Sequence, residues 1–237
     1  MGEAELKQVR TDMAVGIGFP CGFPYLPWQT AMALAKTAHA APLLGVPLNI
    51  HVVAGSSLVT IARDRILDQF LASKNEKFLF WIDSDLVWEP EDFFRILALT
   101  KTRGVVCGAY PLKREPEDVA ITFAEETPIA DEVGCVRVLS LGLGFTCIRR
   151  DIVEQFAATK GQQYHPGNDT VISDAFRLDT VPTQNMEVPT GRGEDGAFFA
   201  DLRALGHTIW LDTNAHLGHV GTKEYRIQLT PPMPAAV

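Results

Sequence analysis

Short apolar runs of strand length alternate with segments of helical periodicity along most of the chain. The apolar runs predict strands over 13–19, 48–54, 78–83, 104–109, 136–141 and 208–211. The segments between them predict helices over 28–41, 56–72, 90–100, 151–158 and 194–205. Strands that alternate with helices are typical of a layered α/β sheet, and no internal repeat interrupts this pattern.

The helix predicted over 56–72 has serines that can cap its start and an apolar stripe on one side. The stripe consists of Leu58, Ile61, Ala62, Ile66 and Phe70. From this periodicity we expect Arg63, Asp64 and Asp68 to face away from the core.

Two segments carry little regular pattern. Residues 142–146 contain two glycines and are expected to let the backbone pass close to another group. Residues 160–193 are polar and rich in Gly, Pro, Asn and Asp, with one strand predicted around 175–181. A segment of that length with little secondary structure is typical of a functional lid.

Composition narrows the class of protein. The 237 residues, 46% of them hydrophobic, are enough for one large α/β domain and short for two. A net charge of -8 argues against broad, sequence-independent coating of nucleic acid, which needs many contacts from Lys and Arg to phosphate.

The four cysteines are expected to be reduced, and Cys107 and Cys147 to be buried, because no C-x-x-C pair supports a zinc or redox site. Residues 1–12 are polar and lack the apolar core of a signal peptide, and no segment approaches the ~20 apolar residues of a membrane span. We therefore expect a cytoplasmic protein.

Two carboxylates, Asp83 and Asp85, follow directly after the apolar run 78–82. At the rim of a sheet, acids in this spacing offer hard oxygen ligands to a divalent cation and the diphosphate that it neutralises. The alternative is an ordinary turn, in which Asp and Ser serve local hydrogen bonding. The position immediately after a fully apolar strand favours a metal site.

Further candidates lie towards the C-terminus. His219 has a glycine two residues later and one immediately before it, which leaves the backbone free to aim the imidazole at a metal such as Mn²⁺; His216 competes for this role. Glu194 and Asp195 open a helix, where acids complement the helix dipole. The functional alternative is that one of the two is a general base for an incoming hydroxyl.

Other nucleotide motifs are absent. Gly16 and Gly18 hint at a dinucleotide fingerprint, but the third glycine, Gly22, comes one position late. The chain has no P-loop pattern with its lysine and serine.

Together these residues resemble the GT-A glycosyltransferases, most closely family-2-like members of the compact soluble type found in bacteriophages. Residues 81–85 look like the DxD motif of that class. Residues 193–199, with 205–207, look like its acid-rich acceptor-side helix, and 142–150 are similar to the segment beside the sugar. The resemblance covers nearly the whole chain up to His219.

The resemblance implies a single GT-A type (Rossmann-like) domain with a mixed, mostly parallel central sheet flanked by helices. Its nucleotide-sugar half would cover about 13–110, its acceptor half about 111–221, and its C-terminal tail 222–237. The implied cofactor is Mn²⁺ or Mg²⁺, and the implied donor is a nucleotide-diphosphate sugar, with UDP favoured by its prevalence in the class.

The site residues are carried over from the same resemblance. Asp83 would lie near the ribose or the metal, Asp85 would bind the metal, and His219 would complete its coordination. Asp195, with Glu194 beside it, would supply the base in an inverting reaction or orient the donor in a retaining one. Arg63 would lie close to the nucleotide.

The predicted activity is transfer of a hexosyl or pentosyl group to an acceptor hydroxyl. Similarity to bacteriophage enzymes makes a hydroxymethylated pyrimidine in DNA one candidate acceptor, in host cytoplasm; a glycan, protein or small molecule is the alternative. A phosphate-contacting edge for DNA could come from Lys101, Arg103, Lys113 and Arg114, although loop charges of this kind are more often simply solvated. A nucleotidyltransferase or a non-catalytic sugar-nucleotide-binding module remains a rival function.

Overall fold

The computed structural model describes residues 10–23, 25–165, 170–181, 190–227 and 229, and every structural statement below refers to these residues. The strands are β1 Val15–Cys21, β2 Leu48–Ala54, β3 Phe78–Ile82, β4 Leu86–Val87, β5 Val105–Gly108, β6 Thr122–Phe123, β7 Cys135–Ser140, β8 Phe145–Arg149, β9 Gly161–His165, β10 Thr170–Asp174, β11 Asp179–Val181, β12 Thr190–Arg192, β13 Ile209–Asp212, β14 Gly218–Val220 and β15 Glu224–Arg226. The α-helices are α1 Trp28–Leu43, α2 Val59–Ala72, α3 Pro90–Arg103, α4 Arg150–Ala158 and α5 Glu194–Ala204.

One large sheet organises the described chain, with the strand order β2-β1-β3-β8-β5-β13-β7-β6. The strands β1, β2 and β3 pair in parallel, as do β5 and β13. The strands β8 and β7 run against their neighbours, so six of the eight strands share one direction. The prediction of a mixed, mostly parallel sheet flanked by helices is confirmed.

The sheet separates two hydrophobic cores. Successive side chains of a strand point to opposite faces, so on β3 Phe80 enters the core that contains α3 residues, while Trp81 enters the core built on α2, α4 and α5. Both cores draw residues from 13–110 and from 111–221. The functional division of the chain at these boundaries stays a prediction.

The strand β8 was not predicted, because the glycines at 142 and 144 indicated irregular backbone. Phe145 to Ile148 are all buried, since β8 lies between β3 and β5 in the middle of the sheet. The apolar run that follows these glycines is short and contains Thr146, so it is a weaker strand signal than the continuous apolar run of β3.

The prediction for one face of α2 was wrong: the side chains of Arg63 and Asp64 are buried. Arg63 packs on the ring of Trp81 and pairs with Asp83 and Asp195, while the hairpin β9–β10 packs on α2 beside Asp64 and Asp68. The Asp64 carboxylate accepts hydrogen bonds from the backbone N–H groups of Ala175 and Phe176, at 2.9 and 3.1 Å. Asp68, half-buried, accepts from the N–H of Ser173 at 3.0 Å.

The polar segment 160–193 holds more structure than predicted. Its described residues form two antiparallel pairs, β9–β10 and β11–β12. The strand expected around 175–181 covers only Asp179–Val181, because Ala175 and Phe176 turn into the core instead. Residues 166–169 and 182–189 lie outside the described residues, and the role of the segment as a lid stays a prediction.

Other expectations concern helix ends, cysteines and membrane spans. The first-turn proline of α3 is confirmed, and the helix gains a capping box in which Glu89 and Asp92 each accept from the other's backbone N–H. All four cysteines are free and buried, as expected for Cys107 and Cys147. None of the helices in the described ranges has the length and apolar character needed to cross a bilayer.

Candidate functional site

The predicted site residues gather at one rim of the sheet, where β3 ends. Asp83 follows β3 directly, and Asp85 precedes the short strand β4. His219 reaches the same place because β14 pairs with β4, with His219 opposite Leu86. Asp195 is the second residue of α5, so the helix N-terminus faces this rim as well.

Asp85 lies between two cationic or potentially cationic side chains. Its Oδ1 is 3.2 Å from Nε2 of His219, and its Oδ2 accepts a hydrogen bond from Nζ of Lys113 at 2.5 Å. Burial alone would raise the pKa of Asp85, but the hydrogen bonds from His219 and Lys113 outweigh it and lower that pKa. The carboxylate is therefore held ionised, as a metal ligand must be.

The orientation of His219 is fixed from behind. Its Nδ1 lies 2.8 Å from the carbonyl oxygen of Pro111, and a carbonyl can only accept, so Nδ1 carries the hydrogen. Nε2 is therefore the ring atom that faces the Asp85 carboxylate. An imidazole nitrogen and a carboxylate oxygen 3.2 Å apart can share either a proton or a metal ion.

A second cluster joins Asp83 to Asp195 through Arg63. Nη2 of Arg63 donates to Oδ1 of Asp83 at 3.1 Å and to Oδ1 of Asp195 at 3.5 Å. The Arg63 side chain is 2% exposed, whereas those of Asp83 and Asp195 are 26% and 31% exposed. The guanidinium lies beneath the two carboxylates and holds them at the surface of the cleft.

The environment of Asp195 changes its proton affinity. Burial raises its pKa to about 6, and the nearby charges of Asp83 and Glu194 act in the same direction, while Arg63 opposes them. Glu194, the first residue of α5, thus acts on Asp195 through its negative charge, which raises the pKa of Asp195.

Tyr110 connects the two clusters and was not predicted. Its hydroxyl accepts from the N–H of Gly144 at 3.0 Å and donates to Oδ2 of Asp83 at 3.4 Å. Its ring makes an edge contact with His219, with centroids 5.2 Å apart. Burial raises the pKa of Tyr110, so the hydroxyl keeps its proton as a donor. Its position just after β5 was the available signal, once β5 was known to end at this rim.

The glycines of 142–146 make room for this arrangement, as expected. A Cβ on Gly144 would lie 2.2 Å from Oδ2 of Asp83, and one on Gly142 would lie 2.3 Å from the Tyr110 hydroxyl. Any side chain at these positions would displace the groups that form the site.

Asp83, Asp85 and His219 do not form one three-residue metal cluster. In the described part of the chain, no three His, Cys, Asp or Glu side chains come close enough to hold an ion together. Asp83 turns to Arg63 and Tyr110 instead. His216 is exposed, and its backbone N–H donates to Asp92, so the contact with Asp85 belongs to His219.

A cavity of about 440 Å³ opens beside Asp195. Its lining includes Tyr110, Leu112, Ile121, Leu141 and Gly142. A cleft of this size next to a carboxylate can hold one small polar substrate group.

The four basic residues considered as a phosphate-contacting edge do not form an unpaired cationic edge in the described structure. Each one pairs with an aspartate: Lys101 with Asp12, Arg103 with Asp131, Lys113 with Asp85, and Arg114 with Asp118. Charges that are already paired add little attraction for a polyanion.

Comparison with known proteins supports the fold. No protein-family model and no curated protein matches the sequence. Among solved structures, A197 from STIV aligns over 88% of this chain and 86% of its own, with 20% identity and a TM-score of 0.55. The structure of GalNAc-T7 with UDP, GalNAc and Mn²⁺ aligns over 91% of this chain but only 44% of its own, with 9% identity and a TM-score of 0.52. The predicted GT-A type fold is confirmed at this level.

Proposed function

We propose that this chain is a metal-dependent glycosyltransferase that moves a sugar from a nucleotide-diphosphate donor to an acceptor hydroxyl. The observation that carries the proposal is the Asp85–His219 pair, whose Oδ1 and Nε2 atoms lie 3.2 Å apart at the rim of a GT-A type sheet. The similar fold of GalNAc-T7, described with UDP and Mn²⁺, supports the same assignment.

Asp85 and His219 fit Mn²⁺ or Mg²⁺, with the nitrogen donor favouring Mn²⁺. A nucleotide-bound cation takes most of its ligands from phosphate oxygens and water, so two protein ligands are sufficient. When bound, the cation would neutralise the negative charge that develops on the departing diphosphate. Lys113 balances the charge of Asp85 from the other side, and Asp83 is proposed as a contact of the ribose or the metal.

Asp195 is proposed to act on the acceptor. In an inverting reaction its carboxylate removes the proton of the incoming hydroxyl, a contribution of roughly 10²–10⁴-fold in rate. In a retaining reaction it orients the donor sugar instead, and the geometry is compatible with both. Arg63 holds Asp83 and Asp195 in place from the buried side of the cleft. Its contact with the nucleotide is a separate part of the proposal.

UDP is the proposed carrier, and the cavity beside Asp195 is proposed as the space for the reacting groups. The acceptor is proposed to be a glycan, protein or small hydroxyl compound. A hydroxymethylated pyrimidine in DNA is a second candidate that rests on the sequence resemblance alone, since the four cations considered as a phosphate-contacting edge are paired.

The test is release of nucleoside diphosphate from UDP-glucose, UDP-galactose and GDP-mannose, with Mn²⁺ and with EDTA. We expect release from one donor that requires Mn²⁺ and falls by at least about 100-fold in Asp195→Asn if the reaction is inverting. Release of pyrophosphate from a nucleoside triphosphate would indicate a nucleotidyltransferase. Binding of a nucleotide sugar with no release, even with added acceptors, would indicate a non-catalytic module.

A further inference from the structure

One part of the chain is almost free of charge. Residues 13–62, which include β1, α1 and β2, contain no Asp or Glu and only one Lys or Arg, although 21% of all residues are charged. Ten of the seventeen large hydrophobic side chains exposed in the described residues also fall within this segment. An uncharged, apolar and exposed region on an acidic protein indicates an interaction surface.

The strand β2 forms the outer edge of the sheet on this side. It runs for seven residues without proline, charge or bulge, in unbroken register with β1. The opposite edge, β6, has two residues and a register shift, which are common protections against edge pairing. The β2 edge has no such protection within the described structure.

The backbone groups on the outer edge of β2 alternate with those that bond to β1. Val15 donates to the carbonyl of Pro47, and Gly55 donates to that of Cys21. In a parallel ladder these two bonds fix the odd-numbered residues of β2 as those that bond to β1. The amide groups of Leu48, Ile50, Val52 and Ala54 therefore point away from the sheet.

The side chains of these four residues share one face, opposite to that of His51 and Val53, which are buried. Ile50 is 37% exposed and Val52 is 47% exposed. Beside them a groove of about 630 Å³ lies between Ala38 and Pro42 of α1 and the beginning of β2.

We propose that the β2 edge binds the β2 edge of a second copy of this chain, so that two sheets join into one across a twofold axis. Antiparallel pairing centred on His51 aligns all seven residues of each strand. It places Ile50 opposite Val52 of the partner and Leu48 opposite Ala54 of the partner, with their outward amide groups bonding to each other. The sequence of β2 is thus complementary to itself in this register.

Charge and site geometry agree with this partner. Two copies that each carry a net charge of -8 repel, and the charge-free segment lets them approach without close like charges. An anionic lipid surface would need basic residues, whereas Lys36 is already paired with Glu89. Antiparallel pairing points the carboxyl ends of the two sheets in opposite directions, which leaves both candidate sites open.

The test uses sedimentation velocity across a wide range of concentrations. We expect the unmodified chain to form a dimer and Val52→Lys to raise its dissociation constant by about 100-fold or more, because each dimer would bury two lysines at the junction. Val171→Lys is the matched control, since Val171 is an exposed valine of β10 outside the segment. It should remain dimeric. A monomer at all concentrations in the unmodified chain would overturn the proposal.

A cross-linking experiment tests the register without relying on a disruptive variant. The double variant I50C/V52C should form a disulfide-linked dimer, because the hydrogen-bonded pair Ile50–Val52 places Cα atoms about 5.5 Å apart. The single variant I50C should not, and the native cysteines are buried. Cross-linking of I50C alone would overturn the register. Flotation of a monomeric chain with neutral lipid vesicles would assign the surface to a membrane instead.

Discussion

Replacing Arg63 with glutamine tests whether one buried cation holds the two carboxylates of the cleft together. The change leaves Asp83 and Asp195 without their shared partner, although the side chain at position 63 remains polar. Removing one partner of a fully buried ion pair costs about 3–5 kcal/mol. Because the two carboxylates are about a quarter to a third exposed, water offsets part of this cost, and we expect about 2–3 kcal/mol.

For a chain of this length, that loss corresponds to a fall in Tm of about 4–12 °C. The assay is thermal unfolding followed by circular dichroism, with Arg149→Gln as the control. Arg149 pairs with Asp151 at the surface, so its loss should change the stability by less than about 1 kcal/mol.

A double-mutant cycle completes the experiment. In the Asp195→Asn background the Arg63→Gln change should lower the stability by at least about 1 kcal/mol less, because one of the two carboxylates that lose their partner has already been replaced by a neutral amide. A Tm of Arg63→Gln within about 1 °C of the unmodified chain, or equal costs in both backgrounds, would refute this account of the cluster.

Three further results are expected. Gly144→Ala should lower the activity and reduce the stability by about 1–3 kcal/mol, seen as a lower Tm, because its Cβ would lie 2.2 Å from Oδ2 of Asp83. The control Gly191→Ala, whose Cβ would meet no atom within 4 Å, should leave Tm and activity unchanged. Burial raises the pKa of Asp64 to about 7, above its unfolded value, so the stability that its protonated form contributes is lost as pH rises towards 7. Relative to Asp64→Asn, the unmodified chain should lose about 2–3 kcal/mol of unfolding free energy between about pH 5 and 8. Equal pH dependence of the two chains would contradict this. If Asp195 is the base, kcat/KM should rise with pH through about 6 as its carboxyl loses its proton, and a profile that is flat there would exclude this role.

Local sequence patterns were sufficient to predict the elements whose boundaries depend on neighbouring residues. β2 was predicted with both ends correct, and α5 with an error of one residue, because alternation and capping act over a few neighbouring residues. Acids that follow an apolar strand must lie at a sheet rim, so the position of Asp83 and Asp85 could also be predicted.

The rest depended on packing between distant parts of the chain. Arg63 was expected to face solvent because helical periodicity does not reveal that its guanidinium reaches Asp83 and Asp195 at the rim of the sheet. The contact of Tyr110 with Asp83 requires β5 and β3 to end at the same rim, on either side of the unpredicted strand β8. The pairing of Lys113 with Asp85 joins residues 28 positions apart, so it could not be predicted from either local sequence.

The measurement that tests the central claim most directly is the Tm of the unmodified chain and of Asp85→Asn with UDP, each with and without Mn²⁺. A ligand at 100 times its dissociation constant stabilises a fold by about 2.7 kcal/mol, or about 5–11 °C here. We predict this shift for the unmodified chain and for the surface control Asp151→Asn only when UDP and Mn²⁺ are both present, and its loss in Asp85→Asn. An equal shift in Asp85→Asn, or a shift with UDP that does not depend on Mn²⁺, would contradict the assignment of Asp85 and His219 as the metal-binding pair.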